Sequence, residues 1–354
     1  MVILSACNHS VKVNIMAAIS PKLDFQLQPA QIQDQLKSHL NEYQVQLTKL
    51  LGQSAYSWDN LMTPLADLDI AFNQFWMPIS HLNSVMDNEA LRSSYNACIP
   101  MISQFFSALG QNEKLYQAIL SIHKQDKHLN SHQHKILDNY IRDFKLSGVH
   151  LDKNKKQIFQ QLAQELATLS SRFEENVLDA TQAFEYQVTD LSLLKGLPEY
   201  ALAQAQQSAQ QKGKEGYLFT LQGPSYTAVM QYADNRDLRK TLYQAYCTRA
   251  SELGSDNGKY DNSDIMVEIL NKRQQLARLL DYDHYSHYSL ATKMIKQPQQ
   301  VLDFLNDLII KATPGALKEK EALLDFARTQ LQLDPLEPWD ISYASEKMKQ
   351  HYYN

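Results

Sequence analysis

The run from Asp152 to Phe184, DKNKKQIFQQLAQELATLSSRFEENVLDATQAF, decides the fold class. Ile158, Leu162, Leu166, Leu169, Phe173, Val177, Ala180 and Phe184 recur at steps of three and four. Over roughly eight turns that spacing keeps them on one face of a single helix. A helix this long is the spine of a domain, and the chain on either side of it is read as what covers it.

Toward the N-terminus, Ile32, Leu36, Leu40, Tyr43, Leu47 and Leu50 keep the same period and predict a helix between Gln31 and Leu51. A second is predicted from Trp58 through Leu65, Leu68, Phe72, Phe75 and Trp76 to Val85, with Pro64 near its start, where a missing N–H costs little. Glu89 to Leu109 and Glu113 to Ile122 give two more, the first closed by Gly110 as a C-cap; His132 to Leu146 stops at Ser147-Gly148. Beyond the spine, Phe184 to Val188 alternates apolar and polar residues, and Tyr217 to Leu221 is a β-prone run between glycines. These predict a small β element in a mainly α protein. Pro198 opens a helix to Lys212, Tyr226 to Ala233 is another, and Asn235 caps Arg236 to Arg249. The loop Gly254 to Gly258 precedes a helix from Ile265 to Leu280. Pro298 starts a helix that Pro314-Gly315 is expected to kink or break, with Leu317 to Leu331 completing a hairpin. From Glu337 to Asn354 a Pro-Trp-Asp turn opens a helix whose stripe is Ile341, Ala344, Met348 and Tyr352; its packing partner is expected outside these residues.

Composition agrees with a helical globular chain: 10 Gly and 11 Pro in 354 residues leave few helix breakers, and 44% hydrophobic with 21% charged is ordinary. A net charge of -5 argues against nucleic acid or an anionic membrane as the main partner, and the basic run Lys153 to Lys156 is read as a solvated helix start. Cys7, Cys98 and Cys247 lie far apart without a Cys-x-x-Cys spacing, which fits a reducing, cytoplasmic setting. No apolar run approaches the roughly 20 residues that cross a bilayer, so a soluble protein is expected. Leu4-Ser5-Ala6-Cys7 looks like a lipoprotein cleavage site but lacks a basic region and a full apolar region before it; Met16 is an alternative start.

Candidate chemistry is sparse. His123, His128, His132 and His134 form the densest histidine group, and His128 and His132 have the four-residue spacing of a zinc helix. Leu129 follows His128 where hydrolysis needs a Glu, and Asn130-Ser131 favours a helix break, so an exposed interhelical loop is the preferred reading. His284 and His287 are three apart within an aromatic run from Tyr282 to Tyr288, with no third ligand in reach by spacing; packing at a helix start explains them. Glu174-Glu175 and Asp234/Asp237 are carboxylate pairs on surfaces rich in Lys and Arg and are read as solvated. Phosphate loops, a Gly-x-Ser-x-Gly elbow and a Cys/His dyad are all lacking.

Several segments together resemble the oligopeptidase A branch of the thimet oligopeptidase-like zinc metallopeptidases. They are Pro78 to Val85, Asp143 to Gly148, Glu175 to Thr181, Tyr246 to Ser251, Leu290 to Met294, and Pro338 to Ile341 with Ser345-Glu346-Lys347. They occur in order and at similar spacing from about Asp24 to Asn354. The resemblance implies the neurolysin/thimet oligopeptidase-like helical fold split by a channel, hydrolysis of short peptides in the cytoplasm, and one zinc. That zinc is held by a His-Glu-x-x-His helix and a later Glu, with the motif Glu as general base. No His-Glu-x-x-His occurs in this sequence, so no catalytic and no metal residue is assigned to any position, and substrate-binding residues are left open. The expected division is an irregular N-terminus over 1–23, an N-terminal helical domain over 24–190, and over 191–354 the start of a peptidase domain truncated before its zinc helix. The expectation is a chain that binds no zinc and is inactive alone, with short peptides as the family's substrates and the missing C-terminal half, supplied in trans, as an alternative partner. The alternatives are a non-catalytic helical peptide-binding protein, or one half of a split enzyme. A zinc ion held by the His123 to His134 group is a third possibility.

Overall fold

The computed structural model describes residues 23–353; Met16, the Leu4 to Cys7 segment and the rest of 1–22 lie outside the described residues. The protein is mainly α, 74% helical, with a single two-stranded sheet among the described residues. It forms two compact units, one ending at His150 and the other beginning at Leu151.

The first unit holds α1 (Ile32–Leu50), α2 (Thr63–Val85), α3 (Glu89–Gly110), α4 (Glu113–Gln125) and α5 (Ser131–Leu146). Asparagines start three of these helices. Asn88, Asn112 and Asn130 each accept a hydrogen bond from the backbone N–H three residues on, satisfying a donor that the helix leaves orphaned. The predicted face of α1 is the buried one, with Ile32, Leu36, Tyr43 and Leu47 packed among Leu61, Leu65, Ile79, Ile119, Ile122 and Leu137. Within this core the Tyr43 hydroxyl donates to Asp69 at 2.7 Å, and Tyr140 approaches the other carboxylate oxygen at 3.5 Å. Burial raises the Asp69 carboxyl despite these two bonds. Burial and the neighbouring carboxylate push Tyr140 up to about 12 and Tyr43 further still.

Gly110 departs from its expected role as a C-cap. It is the last residue of α3, outside the left-handed region, and a Cβ there would sit 2.7 Å from Ser147 Cβ. The residue is small because two helix ends meet closely, not because the backbone reverses. Gly148, at φ 76°, is the glycine that a turn requires: it ends α5 in the left-handed conformation.

The second unit is organised by α6 (Lys153–Ala183), capped by Asp152, as the long apolar run predicts. Its inward face is rotated from the expected one at the N-terminal end: Phe159 is buried, whereas Ile158 is 49% exposed. Then come β1 (Tyr186–Val188), α7 (Glu199–Gln211), β2 (Tyr217–Phe219), α8 (Gly223–Tyr232) and α9 (Arg236–Thr248), followed by α10 (Ser263–Leu279) and α11 (Tyr285–Leu290). The strands pair antiparallel with Tyr186 opposite Phe219. α10 lies along α6 in antiparallel register: Asn176 donates to Asn262, Lys272 pairs with Glu165 at 2.6 Å, and Leu276 and Leu280 pack with Leu162 and Phe159. Positions descending along α6 meet positions ascending along α10, which defines the direction.

Pro298–Gln330 is one continuous helix, α12, and not the hairpin expected from Pro314-Gly315. A proline inside a helix removes one N–H and leaves the carbonyl four residues earlier without it. Here that residue is Ile310, 72% exposed, so water can take the place of the lost donor. A short 3-10 turn, Pro338–Asp340, then leads into α13 (Ile341–Tyr353). α13 packs against α8 and α12, so the partner expected outside the chain is in part within it. Ala344 is its buried contact, while Ile341 and Tyr352 of the predicted stripe stay largely exposed.

Candidate functional site

The residues weighed for metal chemistry do not converge. His128 lies before Asn130, which caps α5, whereas His132 is inside that helix, so the pair never shares a helical face. His123 contacts Asp138 at 2.9 Å and meets His134 edge-to-face with ring centroids 5.6 Å apart. His284 and His287 stack at the start of α11, beside the edge-to-face pair Tyr282 and Tyr288. Among the described residues no three His, Cys, Asp or Glu side chains are placed to hold one metal ion, so the zinc implied by the resemblance has no donor set here. Asp234 accepts from the Tyr343 hydroxyl at 2.9 Å and lies 3.4 Å from Lys347; it secures α13 rather than forming an acid-base pair with Asp237.

The most buried charge in the second unit was not singled out by the sequence. Asp340, fully buried, closes the Pro338–Asp340 turn by accepting from the Glu337 N–H at 3.1 Å. It also takes bonds from two arginines of α9: Arg239 Nη2 at 2.6 Å, and Arg236 Nε and Nη2 at 2.9 and 2.7 Å. Arg239 is itself fully buried. It donates to the Ala233 carbonyl at 2.7 Å, and its guanidinium lies 4.1 Å from the Tyr343 ring centroid. Burial alone would raise the Asp340 carboxyl, but the arginine bonds outweigh it and hold the group below the usual carboxylate range. The signal was present in the sequence: Arg239 falls between Leu238 and Leu242 on the inward stripe of α9, where a charge needs a partner. This is an anchor, with neither nucleophile nor open face.

Two of the concavities among the described residues of the second unit are weighed as binding sites. One, about 260 Å³, lies among the end of α6, α7, β2 and α8 and is lined by polar and apolar side chains alike, among them Gln182, Gln204, Ser208, Leu218, Phe219 and Ser225. The larger, about 630 Å³, is a groove between α12 and α13 lined by Ala316, Leu323, Leu324, Ile341, Met348 and Tyr352, with Glu319, Lys320 and Lys349 at its edge. Its apolar floor can take up side chains of a partner. No helix among the described residues is long and apolar enough to cross a membrane.

Comparison with known proteins gives this geometry its context. Residues 36–156 match the family described as Neurolysin/Thimet oligopeptidase, N-terminal domain, and residues 229–354 match Peptidase family M3. The chain is 46% identical over 318 residues to oligopeptidase A of Escherichia coli, covering 89% of this chain and 47% of that protein. It is 42% identical over 330 residues to oligopeptidase A of Haemophilus influenzae, covering 93% and 48% respectively. A protein named probable cytosolic oligopeptidase A from Arabidopsis thaliana is 34% identical over 332 residues, covering 90% and 46%. The chain spans about half the length of these relatives.

Proposed function

Because the chain belongs to peptidase family M3, we propose that its 354 residues form the N-terminal helical domain and the start of the peptidase domain of an oligopeptidase A-like enzyme, one that hydrolyses short peptides in the cytoplasm. The observation that carries this reading is a pair. Relatives named oligopeptidase A match about nine-tenths of this chain at 42 to 47% identity, yet the sequence contains no His-Glu-x-x-His. Chemistry of this kind needs a metal-bound water and a carboxylate base held in one constellation, and a span without either contributes the scaffold of the site and not its reacting groups. The zinc, when bound, would activate water for attack on the peptide bond; its ligands and the base belong to sequence beyond this span. The 354 residues alone are therefore inactive, and the remainder of the enzyme is their partner.

The test is cleavage of a quenched short peptide with added zinc. The purified chain alone gives no turnover above a metal-only control, and elemental analysis finds far less than one zinc per chain. Zinc-dependent cleavage that follows the purified 354-residue chain would overturn the proposal.

A further inference from the structure

The geometry points to the cavity of about 260 Å³ among α6, α7, β2 and α8 as a binding site for a small zwitterion, a free amino acid or a dipeptide. That such a ligand is a product of peptide hydrolysis rests on the proposed function; the site itself rests on its lining. One face of α7 builds it. At 100° per residue Ala201, Gln204, Ala205, Ser208 and Lys212 fall within a sector of about 100°, and all five line the cavity. Ala201 and Ala205 are buried, where the buried stripe of α1 carries Ile and Leu. Methyl groups reach less far toward Leu218, Phe219 and Ala228 than those longer side chains would, so the packing leaves a hollow with an apolar floor.

The charges select the ligand. Glu185 and Lys212 both line the cavity; Lys212 pairs with Glu185 Oε1 at 3.1 Å, and Lys214 holds the other carboxylate oxygen. These lysine bonds keep the Glu185 carboxyl below the usual carboxylate range. Lys212 has 60% of its side chain in water, so its bond to Glu185 costs little to exchange. A ligand that carries both an ammonium and a carboxylate makes that exchange evenly. Its ammonium takes the place of Lys212 on Oε1, its carboxylate meets Lys212, and Lys214 stays paired. A lone anion uses Lys212 only, and a peptide blocked at both ends uses neither charge. Gln204 and Ser208 can donate and accept, which suits a peptide group, while the alanine floor takes a small side chain. Size sets the upper limit: sites for drug-sized molecules begin at about 300 Å³, so one or two residues fit and a longer peptide does not.

The experiment titrates the full 354-residue chain with glutamine and with alanylalanine, read by calorimetry and by ligand-observed NMR, against acetate and N-acetyl-alanylalanine amide. The expected result is one site for at least one of the two zwitterions, with acetate and the blocked peptide at least tenfold weaker. Lys212→Met weakens zwitterion binding about tenfold or more, while Lys155→Met, at an exposed lysine in the first turn of α6, leaves it unchanged. Ala205→Leu fills the floor and abolishes binding. Lys212 is exposed, so its variant keeps the fold, as circular dichroism checks, even where the larger side chain at 205 does not. Binding of neither zwitterion, equal binding of acetate or of the blocked peptide, or an affinity indifferent to Lys212→Met would each overturn the inference. Peptide cleavage by the chain alone would instead overturn the proposed function and leave this binding untouched.

Discussion

Removing the Asp340 carboxylate should release α13. Arg239 is 1% exposed and Asp340 fully buried, whereas Arg236 keeps 38% of its side chain in water. Losing one partner of a buried pair leaves the other charge uncompensated, at a cost of about 3–5 kcal/mol. The Arg236 arm, being solvated, adds at most about 1 kcal/mol. In Asp340→Ala, Arg239 retains only the Ala233 and Asp234 carbonyls and the Tyr343 face. The turn and α13 depend on this contact, so their opening free energy falls by about 3 kcal/mol. Amides of 341–353 then exchange about a hundredfold faster, since each 1.4 kcal/mol is a factor of ten. Hydrogen exchange with mass spectrometry reads this directly. Trp339, one of only three tryptophans, reports the same event by fluorescence because Lys240 and Tyr243 flank its ring. The paired change Arg239→Met with Asp340→Leu removes both charges and should recover most of the protection. Exchange of α13 in Asp340→Ala within threefold of the parent would refute the anchoring argument.

Other outcomes follow from the same packing. Phe159→Ala should cost about 3–5 kcal/mol in denaturant unfolding and Ile158→Ala under about 1, since only Phe159 points inward; equal losses would restore the face read from spacing. Gly110→Ala should destabilise the first unit by about 1–3 kcal/mol through the clash with Ser147, and Ser147→Gly should relieve it; a loss unaffected by the second change would place the strain elsewhere. Asp340 has its folded-state value lowered, so its stabilisation is fully present above the unfolded value near 3.8 and is lost progressively as pH falls from there through the lower folded value; protection of α13 measured by exchange down to pH 3 should weaken before that of α6.

The helices were legible because their apolar residues keep period and their starts carry side-chain acceptors, as Asp152, Asn130 and Asn235 show. Period alone left the phase of α6 uncertain, since Ile158 and Phe159 are adjacent and only the antiparallel contact with Leu280 selects the second. Pro314-Gly315 misled for a related reason: a proline's penalty depends on whether its orphaned carbonyl meets water, and that exposure is a tertiary fact. Gly110 read as a turn because sequence cannot distinguish a glycine needed for φ from one needed for clearance. The anchor at Asp340 was hidden because its members lie about a hundred residues apart, and no local pattern links a carboxylate after Pro338-Trp339 to guanidiniums on α9.

The phenols of Tyr43 and Tyr140 around Asp69 give the first unit its own optical clock. Both hydroxyls are held protonated far into alkali, by burial and by the carboxylate they clasp. Tyrosines at the surface ionise first and smoothly, and these two join them only when the bundle around them comes apart. Tyr226 and Tyr343 of the second unit are pushed up to about 12 as well, so the part of the delayed phenolate rise that disappears on Tyr43→Phe with Tyr140→Phe would time the opening of residues 32–149.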